Sequence, residues 1–241
     1  MKTKKLFSFL GLVLVQMIFV ISVARANQIQ IDISSLVNAD IRTYTGGTNY
    51  PVAPVTLTDP SGVNFNLVPY GSTPNSLGVI QTVTAPSSFD VTTSTSIGSS
   101  SKVYVLMNSA FGVSGKNIAT LEFKAANGAT DSIDIIEGTN IRDHYNDGYN
   151  NSATDILHTF NYSSDRLDEY AYTLPSSFDN TTLTDIILSS TLDAGNPNGE
   201  AFLAAATLVS PSSSVPEPAT IFLLISGLIG IVAFGFRRRT E

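Results

Sequence analysis

Polar and apolar residues alternate one by one along much of the chain between residues 27 and 209. Every second residue is apolar in 29–33, in 63–67 and in 119–125. A period of two buries one face of a strand and leaves the other face polar, which is the pattern of an antiparallel sheet. Asn127-Gly128 separates residues 119–125 from a second alternating stretch at 132–136, and therefore predicts a β-hairpin.

Further strand-like stretches extend this pattern to an all-β domain, and no 12-residue stretch of it keeps a 3.6-residue period. Many short strands between Gly, Pro, Asn and Ser turns favour an antiparallel β-sandwich, and we expect a jelly roll. The region also resembles the galactose-binding-like sandwich modules of exported bacterial proteins in VYVLMNSAFG, LEFKAANGATDSIDI, IRDHYNDGYNN and AFLAAATLVS, which implies the same fold. The additional predicted strands are Lys102–Met107, Asp155–Phe160, Tyr170–Leu174, Leu183–Leu188 and Ala201–Val209.

We expect one exported sandwich domain over residues 27–209, because about 180 residues suit a single sandwich with a few extra strands. The Ser- and Thr-rich stretch Ser87–Ser101 leaves two interpretations open, a linker between two β subdomains or a long loop inside one sandwich. Further along, Asp165, Asp168 and Glu169 stand near Arg166, a composition typical of a solvated strand end.

The N-terminus has the three parts of a secretory signal peptide over residues 1–26. An apolar core, Leu6–Val23, is followed by small residues at Ala24 and Ala26, the −3 and −1 positions of a signal peptidase site. Cleavage there would make Asn27 the first residue of the mature chain, and the alternative is an uncleaved N-terminal anchor. Both alternatives imply export. The basic residues that begin the signal are Lys2, Lys4 and Lys5.

A second apolar segment lies at the other end of the chain. Ala219–Phe236 is 18 residues without a charge. A helix of that length spans about 27 Å, close to the ~30 Å hydrocarbon core of a bilayer, so we predict a transmembrane helix over 219–236. The basic cluster behind it would remain cytoplasmic and place the preceding domain outside the inner membrane. That cluster is Arg237, Arg238 and Arg239.

A Pro-Glu-Pro motif, Pro216-Glu217-Pro218, stands directly before this helix, after a Ser/Pro linker at 210–215. The two prolines hold the glutamate extended and remove two backbone donors, so the motif is presented rather than packed into a helix or sheet. The tail from Val215 to Glu241 resembles the PEP-CTERM sorting signal of bacterial exported proteins, because the motif, the apolar helix and the basic end occur in that order. We assign the sorting signal to residues 216–241.

The resemblance implies that the chain is a substrate of exosortase, a polytopic membrane protease-transpeptidase thought to use a cysteine nucleophile. In that family the enzyme cuts near the motif and releases or transfers the protein. Glu217 between its prolines would be the recognition element, and the arginines would fix topology. Such proteins occur with exopolysaccharide and biofilm systems of Gram-negative bacteria. The implied destination is therefore the cell surface or the extracellular matrix, after transient anchoring in the inner membrane.

Charge and composition narrow the partners of the exported domain. Residues 27–210 hold 18 acidic and 6 basic side chains, a net charge of −12. Nucleic acid and anionic membrane surfaces are therefore poor partners, and neutral polysaccharide or divalent cations fit better. The absence of cysteine excludes a disulfide framework and a thiol nucleophile.

The densest polar cluster of the domain is residues 142–151, for which three interpretations stay open. Asn and Asp beside Gly are typical of a turn alone. The side-chain oxygens are also of the kind that Ca²⁺ prefers, although the spacing is not that of an EF-hand, and the tyrosines could stack on a sugar face. The candidate glycan or calcium residues are Asp143, Tyr145, Asn146, Asp147, Tyr149 and Asn150.

Catalytic chemistry has little support in the sequence. His144 and His158 have no nucleophile elbow, HExxH motif or paired-carboxylate signature around them. We therefore expect no cofactor and a non-catalytic, exosortase-processed surface or matrix protein associated with exopolysaccharide. The alternative is a carbohydrate-binding module delivered by the same tail, and a secreted glycan hydrolase is the third hypothesis.

Overall fold

The computed structural model of the protein describes residues 26–44, 49–82, 88–146, 152–191 and 199–211. In these ranges the chain forms thirteen β-strands, a four-residue α-helix and a short 3-10 helix. Each of the nine stretches that the sequence predicts as strands overlaps one of the observed strands. The strands are β1 Asn27–Ile31, β2 Ala39–Asp40, β3 Val55–Thr58, β4 Asn64–Leu67, β5 Gly78–Gln81, β6 Ser88–Ser96, β7 Lys102–Ala110, β8 Asn117–Ala125, β9 Thr130–Ile136, β10 His158–Tyr162, β11 Asp165–Thr173, β12 Thr182–Ser190 and β13 Glu200–Ser210; α1 is Ile41–Tyr44 and the 3-10 helix is Ser176–Phe178.

The strands form two main sheets and a separate hairpin, and every pairing between them is antiparallel. The large sheet has the order β10-β11-β7-β13-β5-β2, and β1 also pairs with β13. The small sheet has the order β6-β12-β8-β9, and β3 with β4 forms the outer hairpin. β1 and β5 pair with the same edge of β13, and β7 pairs with the other edge. The first strand of the domain, β1, is therefore hydrogen-bonded to the last strand, β13, in the middle of the large sheet.

The large and small sheets face each other across one apolar core, which we call the inner core. Val105 and Leu203 of the large sheet lie in the same cluster as Leu121, Phe123 and Ile186 of the small sheet, and all five are fully buried. Two antiparallel sheets with interdigitating inner faces are a β-sandwich. The predicted all-β antiparallel sandwich is therefore confirmed.

A second apolar cluster, the outer core, covers the other face of the large sheet. Leu106 of β7 and Phe202 of β13 pack there with Phe65 of the outer hairpin and with Leu77. The large sheet is thus buried on both faces, and ten of the eleven residues of β13 are buried. Two-sided burial explains why AFLAAATLVS is a continuous small and apolar run rather than an alternating one.

The hairpin predicted from Asn127-Gly128 joins β8 to β9. The Gly128 amide donates to the Ala125 carbonyl at 2.9 Å, which closes the turn directly after β8 ends. Gly128 has a φ of +88°, in the left-handed region that glycine enters without a steric cost.

The Ser- and Thr-rich stretch after residue 87 is a strand over Ser88–Ser96, where the sequence favoured a linker or a loop. β6 is the edge strand of the small sheet and pairs with β12 alone. Val91 is its one buried residue, so the hydrophobic signal is too weak to predict the strand. Threonine nevertheless suits the half-exposed surface of an edge strand.

Both predicted export signals lie outside the described residues, apart from Ala26 and Asn27 at the start of β1 and Ser210 and Pro211 at the end of β13. The hypotheses on Ala24, on the helix at 219–236 and on the three arginines therefore remain predictions. In the described ranges, no helix combines the length and the apolar character that a membrane span requires.

Candidate functional site

The predicted polar cluster at 142–151 lies beside the end of β7, and the structure describes it as far as Asn146. Asp147, Tyr149 and Asn150 lie outside the described residues. Asp143 is 2% exposed, and its carboxylate accepts the Tyr145 amide at 2.8 Å, a contact between residues two apart that is typical of an Asx-turn. Among the described residues, no group of three or more acidic or histidine side chains could hold a metal ion.

Arg166, on β11, anchors this turn through hydrogen bonds. Its Nε and Nη2 donate to the Asp143 carbonyl at 2.9 and 2.6 Å, and Nη1 donates to the Asn146 side chain at 3.1 Å. Arg166 is 1% exposed, so these bonds take the place of the water that the guanidinium loses on burial. The calcium and glycan hypotheses for the cluster remain predictions.

A second arginine, Arg142, forms a bidentate ion pair with Asp168. Nε and Nη2 donate to the two carboxylate oxygens, each at 2.7 Å. Thr159 and Asn108 add hydrogen bonds to the same carboxylate, also at 2.7 Å. The hydrogen bond from Arg142 to Asp168 raises the pKa of the guanidinium against the opposing effect of burial. A fully buried carboxylate with four hydrogen bonds is a strongly held structural group.

His144 is buried between this turn and the outer core. Its Nδ1 lies 3.0 Å from the Tyr50 hydroxyl and 3.9 Å from the Asp165 carboxylate, and the Tyr50 hydroxyl donates to the Arg166 carbonyl at 3.2 Å. Burial, and then the charge of Arg166, lowers the pKa of His144 to about 4, so the imidazole is neutral at neutral pH. His144 is 1% exposed and lies in contact with the outer core, where its ring is 5.8 Å from that of Phe202.

The expectation of a solvated strand end at Asp165, Asp168 and Glu169 is wrong, because all three are fully buried. Glu169 packs near Asp59, which lies in the turn of the outer hairpin and accepts the Val63 amide at 2.6 Å. Burial, and then the charge of Asp59, raises the pKa of Glu169 to about 8. The acids are buried because the outer hairpin and the loops cover this strand, which residue type alone does not reveal.

An open groove lies at the β2 edge of the large sheet, away from the residues that the sequence singles out. Its volume is about 480 Å³, within the range of small-molecule sites. The groove is lined by Asn38, Ala39, Asp40, Thr43, Tyr70, Thr73 and Gln81.

Side-chain to backbone hydrogen bonds fix the floor of this groove. The side chain of Asn38 pairs with the backbone of Gln81 beside the sheet. Its Nδ2 donates to the Gln81 carbonyl at 2.9 Å, and its Oδ1 accepts the Gln81 backbone amide at 2.8 Å. Asp40 Oδ1 accepts the backbone amides of Leu77 and Arg42 at 3.0 and 3.1 Å. Asp40 and Gln81 are 7% and 3% exposed, so the floor is both polar and well packed.

The wall of the groove is the turn that carries Tyr70 and Thr73. Ser76 is fully buried, and its hydroxyl accepts the Tyr70 amide at 2.9 Å while donating to the Thr73 carbonyl at 2.7 Å. The Thr73 amide donates to the Tyr70 carbonyl at 3.0 Å. The turn is therefore held from inside, and the Tyr70 side chain remains 37% exposed. The sequence gives no signal for the groove, because its residues come from three separate segments, 38–43, 70–73 and Gln81.

Comparison with known protein families identifies the tail. The model of the PEP-CTERM protein-sorting motif matches residues 214–239, which confirms the tail predicted from Pro216-Glu217-Pro218. A search of curated proteins finds no match for the sequence. The match to the sorting motif implies export, membrane-anchored transit and processing by exosortase.

Two solved structures are similar to parts of the chain, each at 10% sequence identity. One is a family two carbohydrate esterase from Cellvibrio japonicus, with a TM-score of 0.28, covering 80% of this chain and 37% of the esterase. The other is a family 16 carbohydrate-binding module, with a TM-score of 0.31, covering 61% of this chain and 85% of that module. The chain thus spans about a third of the esterase, and the fold assignment rests on the strand pairing and the inner core.

Proposed function

We propose that the protein is exported, cut by exosortase near Pro216-Glu217-Pro218, and left as a non-catalytic β-sandwich at the cell surface or in the extracellular matrix, in contact with exopolysaccharide. The observation that carries this proposal is the match of the sorting motif to residues 214–239. In the sequence the motif follows β13, which ends at Ser210, after a short linker, so a cut there would leave every described strand in the released part.

A non-catalytic role is supported by the burial of the groups that catalysis would use. His144, Asp165, Asp168 and Glu169 are each at most 1% exposed. Arg142 and Arg166 bind one of these carboxylates and the backbone of the polar turn. Such buried and paired groups stabilise the contact between the layers of the fold.

Contact with exopolysaccharide is supported by charge. The net charge of −12 over residues 27–210 repels anionic polymers at low ionic strength and favours neutral ones. The proposal is therefore specific, in that the relevant polysaccharide is neutral or nearly so.

The test is the intact mass of the protein recovered from its host, from a strain that lacks exosortase, and from a Glu217→Ala variant. Glu217→Ala should fold and be exported but keep the apolar tail, because an exposed glutamate between prolines contributes little to folding. The heavier, membrane-bound form should accumulate in the variant as it does in the strain without the enzyme.

Glu241→Ala is the matched control, since it removes a glutamate from the same tail outside the motif. It should be processed to the wild-type mass. Normal trimming of the Glu217→Ala protein, or of the chain in the strain without exosortase, would reject the proposal and reduce the tail to a membrane anchor.

A further inference from the structure

We propose that the groove at the β2 edge binds a neutral saccharide, with Tyr70 as the stacking residue and Asp40 as the principal hydrogen-bond acceptor. The inference deepens the proposed contact with exopolysaccharide and rests on it for the source of the ligand. The geometry of the groove itself is independent of how the tail is processed.

The groove is lined by polar groups whose hydrogen-bonding capacity is not fully used within the described part of the chain. Asp40 Oδ1 accepts two amides, but Oδ2 accepts no hydrogen bond from any described residue. Gln81 donates through Nε2 to Glu200, and its Oε1 has no donor in the described part of the chain. The hydroxyls of Tyr70 and Thr73 likewise have no side-chain hydrogen bond in these ranges. Acceptors and donors with unused hydrogen-bonding capacity thus occur among the residues that line one groove.

The same lining disfavours anions, Ca²⁺ and lipid-like ligands. The lining has no Lys, Arg or His, so the carboxylate of Asp40 is its one charged group and would repel an anion. Arg42, two residues along, directs its guanidinium to the Tyr50 carbonyl instead. A single carboxylate is far from the six to eight oxygen ligands that Ca²⁺ takes. Ala39 and the Tyr70 ring are too little apolar surface for a lipid-like ligand.

A neutral saccharide satisfies both requirements at once. Neighbouring hydroxyls of a sugar donate and accept, which matches the carboxylate, amide and hydroxyls of the groove. The C–H face of the ring offers the apolar patch that a tyrosine face contacts. Because the floor and the Tyr70 turn are already fixed by internal hydrogen bonds, little conformational entropy is lost on binding.

The test measures binding of named sugars to the full chain, kept in a detergent without a sugar headgroup. The panel is glucose, galactose, mannose, N-acetylglucosamine and their disaccharides, with galacturonic acid as the anionic comparator, measured by saturation-transfer NMR and calorimetry. We expect at least one neutral sugar to bind, and galacturonic acid to bind more weakly than galactose because of the Asp40 charge.

Two variants locate the site. Tyr70→Ala should weaken binding about tenfold, or ~1.4 kcal/mol, because it removes both the aromatic face and the apolar area that the sugar ring would bury. Asp40→Asn should weaken it by a similar factor, because hydrogen bonds to a charged group are about twice as strong as neutral ones, and Oδ1 is kept for the two backbone amides. The matched control is Phe111→Ala, which removes an aromatic side chain that is 58% exposed outside the groove.

Wild-type affinity in both Tyr70→Ala and Asp40→Asn, or no binding of any panel member at millimolar concentrations, would overturn the inference. Thermal unfolding of each variant identifies loss of fold as a separate cause, and Tyr70→Phe, which keeps the ring, should retain most of the affinity. The intact mass of Tyr70→Ala recovered from the host reports sorting independently. A normal mass with lost sugar binding supports the groove, whereas failed processing in the wild type bears on the tail alone.

Discussion

The small sheet and the large sheet are made of similar strands, yet they place charged residues in opposite ways. In β8 of the small sheet, Leu121 and Phe123 are fully buried, while Glu122 and Lys124 lie on the outer face as a 3.5 Å ion pair. In β11 of the large sheet, the first six residues are all buried, although four of them are Asp, Arg or Glu. The difference lies in what covers the second face, which is solvent for β8 and a further layer of protein for β11.

Alternation of polar and apolar residues therefore indicates that one face of a strand is buried, but it does not indicate where charged residues lie. A charged side chain is excluded from a protein interior only when it has no partner there. Asp168 has Arg142, Asn108 and Thr159 as partners, and Arg166 has the backbone of the polar turn. These partners lie between 9 and 60 positions away along the chain, so β11 shows no local sign of them.

The largest effect that this comparison predicts is in the inner core. Phe123→Ala should lower the free energy of unfolding by about 3 to 5 kcal/mol, because it removes a fully buried aromatic side chain and leaves a cavity. The neighbouring change Glu122→Ala should stay within about 0.5 kcal/mol, since that side chain lies on the outer face. Urea unfolding of both variants measures the contrast. Equal losses would mean that the two faces of β8 are assigned the wrong way round.

A smaller loss is expected when the charge of a buried acid in the large sheet is removed without changing its shape. Asp168→Asn should cost about 2 to 3 kcal/mol, because hydrogen bonds to charged groups contribute ~1.5–3 kcal/mol and the amide cannot accept all four. The comparison variant is Asp134→Asn in the small sheet, where the side chain is exposed and the expected change is within about 0.5 kcal/mol. A loss for Asp168→Asn no larger than for Asp134→Asn would show that water reaches the Arg142 pair.

Prediction from sequence was therefore good for most of the strands and poor for the burial of charged residues. The inner core follows from period-two stretches such as 119–125, and the hairpin follows from Asn127-Gly128, because both signals are local. β6 was missed since Val91 alone is buried, and the burial of Glu169 was missed since Asp59 reaches it from the outer hairpin. The sorting tail was recognised because its three parts are contiguous, whereas the groove residues come from three segments that only folding brings together.

The last and subtlest effect is a dependence on pH that only the two-sided sheet should show. Burial first, and then Asp59, raises the pKa of Glu169 from 4.5 to about 8, so the folded protein keeps a proton there that the unfolded chain releases. Where the folded state binds more protons, the free energy of unfolding falls as the pH rises, so the wild type should lose stability progressively between about pH 4.5 and pH 8. Glu169→Gln cannot titrate and should lack this part of the decline, so the difference between the two proteins should change across that window and stay constant below it and above it. Urea unfolding at successive pH values measures the difference, in which the titrations shared by both proteins cancel. If Glu169→Gln gave a constant difference, Glu169 would titrate as a hydrated acid, and the outer core would not shield β11 from water.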